Sequence, residues 1–310
     1  MVACRDRGDK RLVTGRRRLN RTVARGKSLH WWRKLIPRAA IMRIQGRWRS
    51  IMLVTTLLCA WLWVEHARSQ QDLETSGDSG EKAEFYWSRL RYNSANDYGG
   101  GGGRAFGYGY SFGGWSRDYP KADRQFLEAL KRLTRIQMRS YEQVVDLDSD
   151  EIFNYPWVYA VQVANWSFTD AQAKRLREYL LKGGFLMVDD FHGTDDWERF
   201  MTGMRQVLPD RPVEDLADGD EIFHVLYDLS ERMQIPGEQY VNTGRTYEKD
   251  GYVPKWRAIR DDKGRIVVAI CHNMHLGDAW EWADIPEYPE NFSSMAFRIG
   301  INYIVYGMTH

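Results

Sequence analysis

Cysteine is scarce in this 310-residue chain, and Cys4, Cys59 and Cys271 stand too far apart for a disulfide framework or a zinc-binding spacing. Also missing is an apolar run of the roughly 20 residues that a spanning helix usually needs. No H-x-H, H-x-x-E-H or H-E-x-x-H pattern offers a ready-made metal site. No serine or cysteine sits on a glycine elbow between an apolar strand and a helix, which removes the common route to nucleophilic catalysis. Acidic residues are almost absent from the first 50 positions, two against 16 Lys and Arg, whereas the remaining 260 hold 40 acidic and 28 basic groups. The overall charge of +2 therefore hides two oppositely charged pieces, and the basic segment 1–50 reads as disordered or helical and outside the globular domain.

What is present begins with the apolar run at residues 51 to 64, I-M-L-V-T-T-L-L-C-A-W-L-W-V. Its length suits the core of an export signal, with a basic flank from Met42 to Ser50 and small residues at Ala67 and Ser69 behind it. Met42 is then the start of the translated protein, and residues 1 to 41 an over-extended frame or a basic arm. An uncleaved anchor that holds the chain to a membrane through residues 51–64 is the alternative, and both place residues 69–310 outside the cytoplasm. Basic tails ahead of apolar runs are usually topogenic, so no nucleic-acid partner is expected. Export signal or anchor covers 51–68, a Ser/Gly/Asp/Glu-rich linker 69–83, and a folded domain 84–310.

Within that domain, Phe85 to Tyr92 alternates like a first strand. Residues 93–115 hold Gly99 to Gly103 and scattered aromatics at irregular spacing, a low-complexity loop rather than a phosphate cradle. Asp118 and Pro120 open a helix, Glu142 to Leu147 and Trp157 to Ala164 read as strands, and Thr169 caps a helix that Gly183 and Gly184 stop. Phe185 to Val188 is a short apolar run of the kind a parallel strand buries on both faces. Asp195 or Asp196 caps the next helix. Residues 210–255 break the rhythm and read as an insertion, with His224 as a core histidine. Trp256 to Ile259 and Arg265 to Ile270 flank a D-D-K-G turn, and Ser293 or Ser294 caps a last helix. Strands alternating with helices define an α/β domain with a mainly parallel sheet covered on both sides.

Two polar clusters follow apolar strands: Asp189, Asp190 and His192 in G-G-F-L-M-V-D-D-F-H-G, then His272, Asn273, His275, Asp278 and Glu281. If their strands are neighbours, the two clusters share one pocket, with Asn165 and Trp166 lining the same edge. Such a set suits a small polar ligand, a general acid and base at Asp189, Asp190 and His192, or a divalent metal with Asp190, His192 and His275 as ligands. A His or Asn at a strand end also often bonds loop carbonyls instead.

The segments F-Y-W-S-R-L-R-Y, D-Y-P-K-A-D-R-Q-F-L-E-A-L, Y-P-W-V-Y, L-R-E-Y-L-L-K-G-G-F-L-M-V-D-D-F-H-G, L-G-D-A-W-E and F-R-I-G-I-N-Y-I-V-Y span Phe85 to Met308. In their spacing the chain resembles the bacterial domain-of-unknown-function family 4159, a glutamine-amidotransferase-like group. The resemblance implies a three-layer flavodoxin-like fold and export. In some relatives it also implies an envelope complex with von Willebrand-type and chaperone-ATPase systems. It implies no activity, because the cysteine nucleophile of the amidotransferases has no counterpart here. The chain thus reads as an envelope-associated protein of unknown activity that binds a small polar ligand such as a carbohydrate, or acts as a scaffold; the alternative is a hydrolase, metal-assisted or not, that uses Asp189, Asp190 and His192.

Overall fold

Apolar runs bounded by glycine and proline build the centre of the molecule, whose computed structural model describes residues 83 to 94 and 114 to 310. The basic segment 1–50, the apolar run 51–68, the linker up to residue 82 and residues 95 to 113 of the Gly-rich loop lie outside the described residues, with the readings made of them. Among the described residues no helix is long and apolar enough to cross a membrane.

In chain order the elements are β1 (Ser88–Arg91), β2 (Asn93–Ser94), α1 (Lys121–Leu133), β3 (Gln143–Asp146), β4 (Trp157–Val161), β5 (Trp166–Ser167), α2 (Asp170–Leu181), β6 (Phe185–Asp189) and α3 (Gly193–Val207). There follow β7 (Glu214–Asp215), α4 (Gln239–Thr243), β8 (Lys255–Arg260), β9 (Ile266–His272), α5 (Leu276–Glu281) and α6 (Glu290–Thr309). Seven strands form one sheet in the order β3-β1-β4-β6-β9-β8-β7. The first five run parallel, and β8 and β7 complete the edge antiparallel. This is an α/β domain with a mostly parallel sheet. Segment 210–255, read as an insertion, supplies β7 to that sheet.

Alternation along the buried strands sends side chains to two cores. Trp157, Tyr159, Phe185, Met187, Ala269 and Cys271 pack with Phe126 of α1, Trp280 of α5 and Ile299 of α6. Val158, Ala160, Leu186, Val188, Val268 and Ile270 pack with Leu176 of α2 and Phe200 of α3. Helices therefore cover both faces, and burying β4, β6 and β9 on both sides explains their unbroken apolar runs.

Element ends show where local reading held. Thr169 and Gln172 form a reciprocal capping box on α2. Only Gly183 takes positive φ, +116°, whereas Gly184 is needed because a Cβ there would lie 2.4 Å from the Tyr179 ring. α6 starts at Glu290, ahead of the serines expected to cap it, and Ser293 bonds the Glu290 carbonyl from within its first turn. His224 is exposed rather than core, its ring 2.7 Å from the Asp218 carbonyl at the end of a short 3-10 turn.

Candidate functional site

Three adjacent parallel strands end in the same unusual way. Gln162 after β4, Asp190 after β6 and Asn273 after β9 take φ of +52°, +55° and +65°. Two further residues of this kind, Asp118 at +62° and Lys249 at +51°, belong to loops folded over the same edge. Among the described residues these are all the non-glycine positions with positive φ. Each such residue costs on the order of 1 kcal/mol, and strain of this kind gathers at functional sites. The strand ends are tied together: Asp190 N donates to the Met274 carbonyl (3.2 Å) and Asn273 N to the Phe191 carbonyl (3.0 Å).

His275 is the centre of what these loops assemble. Its Nε2 lies 2.9 Å from Asp118 Oδ2 and 3.3 Å from Asp190 Oδ2, and its Nδ1 lies 3.0 Å from Asp278 Oδ2. Asp278 Oδ2 also accepts the Glu238 amide at 2.6 Å. Arg117 Nε lies 3.2 Å from the other oxygen of Asp118, and His192 Nε2 is 3.3 Å from the other oxygen of Asp190. The side chains of Asp118, Asp190, His192, His275 and Asp278 are all at most 7% exposed. Two glycines let the backbone come close: a Cβ at Gly277 would lie 2.7 Å from Asp118 Oδ2, and one at Gly237 2.7 Å from Asp278 Oδ2.

Burial in such company moves the protonation equilibria apart. Burial alone would lower His275, but Asp190, Asp278 and Asp118 hold it well above the ordinary imidazole value. Burial pushes Asp118 up to about 7 against the attraction of His275. Asp189 rises to about 6 for the same reason, although its Oδ2 accepts from Tyr159 OH and from the Leu276 and Gly277 amides. Asp190 goes the other way: burial opposes it, yet His275, His192 and Arg117 keep it below the usual carboxylate range. Neighbouring carboxyls with separated proton affinities can divide acid and base roles.

A cavity of about 110 Å³ opens beside the cluster, walled by Gln162, Asn165, Asp190, His192, Glu248 and Lys249. A larger cavity of about 790 Å³ lies at the opposite, amino end of the strands, near Lys182, Asp220, Arg265 and His310. No cluster of buried titratable groups lines it, so the small cavity marks the site.

The structure sorts the expected residues. Asp189, Asp190, His192, His275 and Asp278 come together, and Asn165 lines the cavity. Trp166 does not: its ring stacks on Phe200 and donates to the Phe200 carbonyl inside the α3 core. His272 stacks on Phe191 and approaches the Gly193 carbonyl at 3.1 Å, and Asn273 accepts the Gly193 amide and donates to the Val253 carbonyl. Both hold loops rather than face the cavity, because they end a strand whose last turn must be closed. Burial lowers His272 to about 4. Glu281 is half-buried, with burial and then Asp278 raising its carboxyl. His192, without a side-chain cap bond, is the cap of α3, and the expected caps Asp195 and Asp196 lie inside its first turn, where Asp196 accepts the His192 amide at 2.9 Å and pairs with Arg199 and Lys249. Cys271 is wholly buried and burial pushes its thiol up, so it is no nucleophile. The letters G-Y-S-F-G at residues 109 to 113 match a serine elbow, but they lie outside the described residues.

Asp118, Arg117, Glu238 and Lys249 were missed. For a metal, among the described residues the set whose donor atoms fall within 4.8 Å of one another is Asp118, His275 and Asp278. Only His275 of the expected trio Asp190, His192 and His275 belongs to it.

An α/β protein with buried carboxylates and imidazoles at the carboxyl edge of its parallel strands is thus defined. The sequence profile of the domain of unknown function DUF4159 matches residues 107–308, and the chain belongs to that family. The match includes the loop bearing Asp118 and every strand from β3 onward, and starts after β1. Among curated proteins, none matches the chain.

Proposed function

We propose that the protein binds a small polar ligand, of the hydroxyl-rich kind that carbohydrates represent, at the carboxyl edge of β4, β6 and β9. The convergence of three of the five strained, left-handed side-chain residues, Gln162, Asp190 and Lys249, on one polar cavity carries this reading. Ligand pockets for drug-sized molecules measure about 300 to 1,000 Å³. A cavity of about 110 Å³ admits one polar group or the edge of a sugar ring. The order of the five parallel strands, second-first-third-fourth-fifth, supports a flavodoxin-like, amidotransferase-like fold, in which ligands sit at strand carboxyl ends. Residues 42 to 69 support an exported, envelope-associated location.

Thermal shift and calorimetry on the full-length chain with a panel of sugars and polyols test the reading. Binding that His192→Ala removes is the expected result; a panel that moves nothing, or binding indifferent to His192→Ala and Asp190→Asn, refutes it. A second reading, acid-base hydrolysis, is favoured by the Asp278, His275, Asp118 line, because Asp118 can give or take a proton near neutrality. It requires turnover on an ester or glycoside panel that Asp190→Asn abolishes while the melting temperature holds.

A further inference from the structure

We infer that the ligand is a saccharide chain rather than a single sugar: its end enters the small cavity, and the next unit lies on the exposed ring of Tyr252. The inference deepens the reading just proposed and rests on it.

Pockets that hold a whole small molecule measure about 300 to 1,000 Å³. The cavity of about 110 Å³ takes only part of one, so most of the ligand's surface must lie against what surrounds the opening. Two of the cavity walls, Glu248 and Lys249, belong to a tight turn that Gly251 N closes on the Glu248 carbonyl at 2.9 Å. Tyr247 and Tyr252 flank that turn, and their rings meet with centroids 4.7 Å and planes 58° apart. Consecutive Cα atoms stand about 3.8 Å apart, so Tyr247 starts beside the cavity wall, and ring contact keeps Tyr252 at the same place. Tyr252 is 63% exposed and Val253 57%, the two most exposed large apolar side chains among the described residues. One exposed apolar residue alone would mean little, but these two adjoin each other and a polar opening.

The turn is anchored from several sides. Lys249 pairs with Asp196, and Asp250 accepts the Thr194 amide at 3.0 Å and its hydroxyl at 2.6 Å. The Gly251 carbonyl accepts from Gln234 Nε2 at 2.8 Å, and a Cβ at Gly251 would lie 2.5 Å from Asn273 Oδ1, so the turn sits directly on the end of β9. The tyrosines are thus held in place before any ligand arrives, which lowers the ordering cost of binding.

The cavity groups favour hydroxyls. Gln162 gives its side-chain oxygen to the Gly114 amide at 2.9 Å, while its NH₂ group and the whole Asn165 carboxamide make no hydrogen bond among the described residues. Carboxamides both donate and accept, as hydroxyls do. The two cationic walls, Arg199 and Lys249, are both paired with Asp196, which serves a neutral ligand better than an anionic one. A sugar ring matches both parts: hydroxyls around its rim for the carboxamides, and a face of C–H groups for the electron-rich face of a tyrosine.

The test is calorimetry on the full-length chain with glucose, N-acetylglucosamine and mannose, and with their β-1,4-linked chains of two to six units. A chain should bind about tenfold more tightly than its monomer, the gain expected of one aromatic face. Tyr252→Ala should remove that gain and leave the monomer's affinity unchanged, whereas Tyr252→Trp should keep it. Asn165→Ala should weaken monomer and chain alike. Tyr252→Ala should also keep the wild-type melting temperature, because the side chain lies mostly in water, so the lost gain is not a loss of fold. Affinity that does not rise with chain length, or a rise that Tyr252→Ala leaves intact, overturns the inference. Monomer binding that His192→Ala removes, without a gain for chains, leaves the ligand reading standing and sinks this one; no binding by any member of the series sinks both.

Discussion

Two buried ionic clusters lie on the same side of this sheet and differ in one respect. At Arg89 every charge is answered: Nε and Nη2 grip the two oxygens of Asp123 at 2.8 and 3.0 Å, and Nη1 donates to the Trp115 and Arg117 carbonyls. Trp87 Nε1 completes Asp123 at 2.6 Å. Around His275 two acceptors go unanswered, since Asp190 Oδ2 and Asp189 Oδ1 accept no hydrogen bond, and the backbone is strained at Asp118 and Asp190. A closed account of hydrogen bonds marks a lock that fixes the loop before α1 to β1. On the reading proposed above, an open one is a place kept ready for a ligand.

The same isosteric change should separate them most sharply. Asp123→Asn leaves Arg89 charged and buried, and should cost about 3 to 5 kcal/mol in urea unfolding. A smaller cost would show that the first cluster is no lock. Next in size is the pH response of a third buried group. The folded protein lowers His272 to about 4, below its unfolded value of 6.5, so it stabilises the fold fully above pH 6.5 and loses that contribution as pH falls toward 4. The loss should be on the order of 2 to 3 kcal/mol, and His272→Gln should flatten that part of the stability profile relative to wild type. Asp190→Asn should change stability by no more than about 1 kcal/mol, since His275 keeps Asp118 and Asp278, while binding at the site disappears. Equal costs for Asp123→Asn and Asp190→Asn would erase the distinction. The smallest effect belongs to the exposed Arg91 and Asp146 pair, where Arg91→Ala should cost less than about 1 kcal/mol.

The sheet was legible because its strands are buried on both faces and leave continuous apolar runs, and because turns and caps at Thr169 and Gly183 are local chemistry. Asp189, Asp190 and His192 were legible for a related reason, as polarity placed abruptly at a strand's end. Asp118 was not. Ahead of a proline and a helix it looks like a helix opener, and only the fold of residues 114 to 120 over the sheet edge brings it to His275. Glu238 and Lys249 come from a stretch without periodicity, so no pattern pointed to them. His272 and Asn273 carried the right residue types, but at a strand end those types bond loop amides and carbonyls as readily as ligands, and here they do.

Asp118 and His275 touch although 157 residues separate them in the chain. Bringing such distant segments together is slow, because the entropy of closing the loop is lost before the contact returns anything. The cluster draws on the loop before α1 and on the loops following β6 and β9, so no fragment that lacks any one of them can contain it. A spectroscopic signal from His275 in contact with Asp118 would therefore report only molecules in which these loops have closed, and in a refolding experiment it should not appear before β6 and β9 have paired.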